Sequence, residues 1–109
     1  MAVTQTQTKN PASVFNMAVG SYLTSSTAAA FVITTGFKPR FVEVVNETSG
    51  DSYRWYAGMA AAEAVKRVAA GTTSIITTHG ITVSENGFTV GLDTDVNVIS
   101  EQLSWMAFG

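Results

Sequence analysis

An Asn-Gly step at positions 86–87 stands between two alternating runs, Ile81-Thr82-Val83-Ser84 and Phe88-Thr89-Val90-Gly91-Leu92. Asn-Gly readily takes the positive φ angles of a tight turn whose twist matches that of paired strands, so this segment predicts a β-hairpin. A second hairpin is predicted over residues 41–57, where Phe41 to Asn46 and Tyr53 to Ala57 flank the turn-forming stretch Glu47-Thr48-Ser49-Gly50-Asp51-Ser52. Pro39 just before the first run suits the start of a strand. Alternation puts Val42, Val44 and Asn46 on one face and Phe41, Glu43 and Val45 on the other. On the second arm Tyr53, Trp55 and Ala57 share a face, with Arg54 and Tyr56 opposite.

The remaining chain speaks the same language. Leucine occurs only at positions 23, 92 and 103, while valine and threonine are abundant, a usage that favours strands. Apolar stretches cover Ser13 to Val19, ended by Gly20-Ser21, then Tyr22-Leu23, and then Thr27 to Thr35, closed by Gly36. Further strands are expected at Ser74 to Thr78, Ile81 to Ser84, Val96 to Ile99 and Leu103 to Phe108. The exception is Gly58 to Gly71, rich in alanine, with Gly71 where a C-cap would sit and no side-chain N-cap before it. Propensity alone allows either a short helix near residues 59–70 or an irregular excursion ending in a strand. The expectation is an all-β fold of about eight short strands, a β-sandwich or small barrel, with jelly-roll and immunoglobulin-like sandwiches both open.

At 109 residues, 46% of them apolar, the chain has the size of one domain and enough apolar material for a core. Residues 1–12 read as an extended arm: Thr4, Thr6 and Thr8 alternate with Gln5 and Gln7, and Pro11 keeps Asn10 out of the helical region. Residues 13–109 then form a single β-sandwich domain. The absence of cysteine excludes disulfides, thiolate metal sites and a catalytic thiol. Only 13% of residues are charged, against about a quarter in ordinary soluble domains, and the net charge is −2. A basic nucleic-acid-binding face is therefore not expected, and a surface of Thr, Ser, Ala and Gly points to contact with other protein. The N-terminus lacks a signal peptide's basic start and apolar stretch, and no run approaches the roughly 20 residues of a membrane span.

Chemistry is sparse. His79 is the only histidine and sits in Thr77-Thr78-His79-Gly80 with no acidic neighbour in sequence, so it reads as a turn residue rather than a catalytic base. Asp93-Thr94-Asp95-Val96-Asn97 has the alternating oxygens that open a calcium loop, but Val98 stands where that loop needs glycine and Ser104 where it needs a carboxylate. It reads as a turn in which the aspartates bond backbone amides. No nucleophile elbow or phosphate-cradling glycine loop is present, and no cofactor is implied. Trp55 and Trp105, each in the middle of an alternating strand, read as core; Tyr56 and Phe108, opposite those faces, read as exposed or as subunit contacts.

Taken together, Gly36-Phe37-Lys38-Pro39-Arg40-Phe41-Val42-Glu43-Val44-Val45-Asn46, Trp55-Tyr56-Ala57-Gly58-Met59, Gly80 through Gly91, and Asp95-Val96-Asn97 through Trp105-Met106-Ala107 resemble small structural proteins of tailed bacteriophage virions. The resemblance spans roughly residues 30 to 108 and leaves the arm outside it. It implies a non-enzymatic β-sandwich on the particle, first of all a capsid decoration (cement) protein that binds and stabilises the assembled head. The alternative it implies is a tail-fibre or receptor-binding module contacting host surface glycan. On the first reading the partners are the major capsid protein and further copies of the chain, with no nucleic acid and no membrane, and the location is the capsid surface after synthesis in the host cytoplasm. The residues expected to carry protein contacts are Thr4, Thr6 and Thr8 of the arm and Arg54, Tyr56 and Phe108 of the exposed strand faces. No catalytic, cofactor or metal residues are expected.

Overall fold

The computed structural model describes residues 16–93 and 95–109. Eight strands are formed: β1 (Met17–Leu23), β2 (Phe31–Thr34), β3 (Phe41–Asn46), β4 (Ser52–Tyr56), β5 (Glu63–Arg67), β6 (Thr73–Ser84), β7 (Gly87–Val90) and β8 (Gln102–Phe108). All pairings between them are antiparallel, and the strand order is β1-β8-β3-β4-β5-β6-β7-β2. Instead of two sheets packed face to face, as a sandwich requires, this is one sheet curled into a half-barrel.

The curl follows from contacts that a flat sheet forbids. Four strands separate β7 from β8, a span of roughly 24 Å if flat, yet Phe88 on β7 and Trp105 on β8 meet edge to face at 5.5 Å. Tyr22 on β1 and Phe31 on β2, the two outermost strands, stack with ring centroids 3.8 Å apart. The inner face carries the core: Val42 and Val44, Tyr53 and Trp55, Ala64, Ile81, Phe88 and Val90, Leu103 and Ala107, joined by Val96 from the loop before β8. Each large side chain fully buried there contributes about 1.5–3 kcal/mol. Gly20 makes room for this arrangement, since a Cβ at that position would lie 2.7 Å from the Trp105 ring.

Both predicted hairpins are present as β3–β4 and β6–β7, the latter turning at Glu85-Asn86. Of the two readings open for residues 59–70 the structure has the excursion ending in a strand: after a turn at 57–62 the chain enters β5, and backbone pairing with β4 and β6 outweighs the helix propensity of the alanines. Two expectations are corrected. The runs at 74–78 and 81–84 are a single strand, β6, whose first half pairs with β5 and whose second half pairs with β7. It changes partner across a bulge near His79, which takes a left-handed φ of 62°. Val96 to Ile99, expected as a strand, is a bent loop.

That loop is held by side chains. The Asn46 amide donates to the Val96 carbonyl and to Glu101 Oε1, both at 2.9 Å, while its Oδ1 accepts from the Thr48 and Ser49 amides. The Asn97 amide donates to the carbonyls of Ala29 and Gly91, and the Thr24 hydroxyl donates to the Val98 carbonyl. Together these bonds close the end of the half-barrel where Tyr22 meets Phe31.

Candidate interaction face

Two places gather polar or aromatic side chains into defined arrangements. The first is the ion cluster beside the inner face. The Lys66 ammonium lies 3.1 Å from Asp93 and 2.5 Å from Asp95, and Asp93 Oδ1 also accepts the amides of Asp95 at 2.8 Å and Val96 at 3.2 Å. Burial works against the charge of Lys66, but its hydrogen bonds to Asp95 and Asp93 outweigh this and raise its pKa above the ordinary lysine value. Asp93 is likewise opposed by burial, yet the Asp95 amide, Lys66 and the Val96 amide hold its carboxyl below the usual range. Burial, followed by the nearby Asp93 charge, pushes the Tyr53 hydroxyl far above the tyrosine range; it stays protonated and donates to the His79 carbonyl at 3.0 Å.

This cluster fastens the 91–101 loop to β5. The ammonium sits between the two carboxylates where a cation would sit, and among the described residues no group of three or more His, Asp or Glu side chains is placed to hold a metal. The turn reading of Asp93 matches its two amide bonds; Asp95 turns its carboxylate to Lys66. His79 is exposed at the β6 bulge.

The second place is the outer face of the sheet. Register aligns Tyr56 on β4 with Phe41 on β3, Phe41 with Phe108 on β8, and Phe108 with Met17 on β1. Tyr56 meets Phe41 edge-on at 5.2 Å, and Phe41 stacks on Phe108 at 5.5 Å, giving an aromatic row across three strands. The next row runs Val19, Met106, Glu43, Arg54, Val65 and Ile75. Within it Arg54 Nε donates to Glu43 Oε2 at 2.9 Å. Tyr56, on an interior strand, is 47% exposed, and Val19, on the edge strand β1, 64%.

Of the residues expected to make contacts, Arg54, Tyr56 and Phe108 thus lie on one face; Thr4, Thr6 and Thr8 lie outside the described residues. Sequence reasoning missed Met17 and Val19, because Gly20 read as the end of a stretch that in fact runs on to Leu23. Trp55 is buried in the core, its indole N–H donating to the Ala60 carbonyl, and Trp105 is partly buried against Phe88. Among the described residues one enclosed hollow of about 310 Å³ is lined by Lys38, Pro39, Arg40 and Trp55, and the others are more open or small. The most enclosed, between Tyr22, Thr24 and Asn97, measures about 20 Å³, the room of a single water.

No protein-family model matches the chain, and no curated protein or solved structure shows significant similarity to it.

Proposed function

We propose that the chain is a non-enzymatic structural protein of a phage virion, a capsid decoration protein that binds and stabilises the assembled head through the outer face of its sheet. The observation that carries this reading is the outer sheet face on which Tyr56, Met17 and Val19 are exposed, 47%, 54% and 64%, beside the half-buried rings of Phe41 and Phe108. A contiguous apolar face with one ion pair set into it is the composition of a protein contact: aromatic anchors within, polar groups around. Modest contacts suffice on a shell, because a lattice offers many equivalent sites and oligomeric binders engage several at once. The partners are then the major capsid protein and further copies of the chain, at the capsid surface. A glycan-binding fibre module would call for a solvent-facing Trp55 or Trp105; Trp55 is 7% exposed and Trp105 half-buried.

The test is co-sedimentation of purified protein with tailless shells that lack it, beside isolated tails and host envelopes. Saturable binding to shells at a stoichiometry set by lattice symmetry is the expected result. Binding to tails or envelopes alone would reject the capsid reading in favour of the fibre one.

A further inference from the structure

Among the described residues no strand pairs with the outer edge of β1 or of β2, the two ends of the sheet order, and these edges differ. β2 offers four residues, whereas β1 offers seven. Asn16 and Gly109 exchange both of their backbone hydrogen bonds, which fixes the alternation along β1: Ala18, Gly20 and Tyr22 bond to β8, while Met17, Val19, Ser21 and Leu23 turn their N–H and C=O groups away from it. Natural edges are usually blunted by lysine, proline or a bulge. From Asn16 to Thr24 there is no charge and no proline, and the pairing of β1 with β8 is in continuous register.

We infer that β1 pairs with β1 of a second copy, antiparallel about a two-fold axis at Gly20. The sequence of this edge is what selects the occupant. Antiparallel pairing centred on Gly20 sets Met17 opposite Leu23 of the second copy and Val19 opposite Ser21 of the second copy, so all four outward residues fall in hydrogen-bonding positions at once. Shifting the centre to Val19 or Ser21 leaves one of them unmatched. Gly20 itself falls at a close, non-bonded position, where strands approach to about 4.5 Å between Cα atoms, and it brings no side chain to that approach. On the outer face the exposed Met17 and Leu23, 54% and 65% accessible, cover one another across the join. The aromatic row of each copy is thereby continued through Met17 toward the other copy, giving one face of twice the width. This pairing deepens the attachment proposal by doubling the contact surface but is tested without shells, so either can fail alone.

The experiment is residue-resolved amide hydrogen exchange on the full chain at low and high protein concentration, repeated on a chain lacking residues 1–12. Slowing of the Met17, Val19, Ser21 and Leu23 amides as concentration rises, in both chains, is the expected result. Protection that is independent of concentration, protection that disappears on deleting residues 1–12, or fast exchange of the four amides at every concentration would each overturn the pairing. Val19→Pro removes an N–H that β8 does not use. It should keep a dispersed spectrum and abolish the concentration dependence at the other three amides; a concentration dependence surviving in the folded variant would overturn the pairing too.

Discussion

Lys66→Ala is expected to destabilise the protein by about 3 kcal/mol and to loosen the 91–101 loop before the rest of the sheet unfolds. Removing the ammonium strands the Asp93 carboxylate, whose side chain is only 12% exposed, beside the protonated Tyr53 hydroxyl. The loss belongs at the low end for a broken buried pair, because Asp93 keeps two amide bonds and Asp95 is 42% exposed. The pH dependence carries a signature. Asp93 has a lowered folded pKa, so its contribution is present above the ordinary value of 3.8 and fades as pH falls through the lower folded one. Lys66 has a raised folded pKa, so its contribution is complete below 10.5 and fades as pH climbs through the higher folded one. Urea unfolding of wild type and variant should therefore differ most between these limits and converge toward both. A gap that stays constant into strong acid would remove the ion cluster as its cause.

Phe88→Ala is expected to cost about 4 kcal/mol, the upper part of the range for a deleted core aromatic. Phe88 is fully buried on β7 and meets Trp105 from β8, so it ties together parts of the sheet that are distant in strand order. Its loss leaves a cavity that rigid backbone pairing on both sides of β7 resists closing. Trp105 reports the change directly: its near-ultraviolet circular dichroism should weaken in the folded variant, with the denaturation midpoint shifted down. A variant within 1 kcal/mol of wild type by the same measurement would mean that the curl does not depend on this contact.

The hairpins were legible because turn-forming residues cluster between the strands, although the second reversal falls at Glu85-Asn86 with neither Asn86 nor Gly87 at positive φ, and Gly87 instead lies in β7 where a Cβ would meet the Ile33 carbonyl. Parity then placed Arg54 and Tyr56 opposite Trp55 correctly, since alternation needs no tertiary knowledge. How the strands close was not legible. Period-2 patterning is the same for a sandwich and a curled sheet, and the deciding contacts, Phe88 with Trp105 and Tyr22 with Phe31, join residues far apart in sequence. Glu63 to Arg67 stayed undecided for a related reason. Its alanine-rich surroundings favour a helix in isolation, but β5 pairs with β4 on one side and β6 on the other, with Ala64 fully buried on the inner face. Gly20 misled as a terminator because its purpose is to lie under Trp105, a partner that only the folded chain supplies. The face that joins Tyr56, Phe41, Phe108 and Met17 was accordingly half visible, as parity within strands but not as register between them.

The most direct test of the attachment account is the affinity of Tyr56→Lys for tailless shells, measured beside Ile99→Lys, an exposed apolar position in the loop at the closed end of the half-barrel. Both variants should keep the wild-type fold by circular dichroism. If the aromatic row is the contact, Tyr56→Lys weakens binding about thirtyfold, the equivalent of a 2 kcal/mol anchor, and Ile99→Lys leaves it unchanged. Unchanged affinity for Tyr56→Lys, or a loss confined to Ile99→Lys, would contradict the assignment of attachment to the outer face.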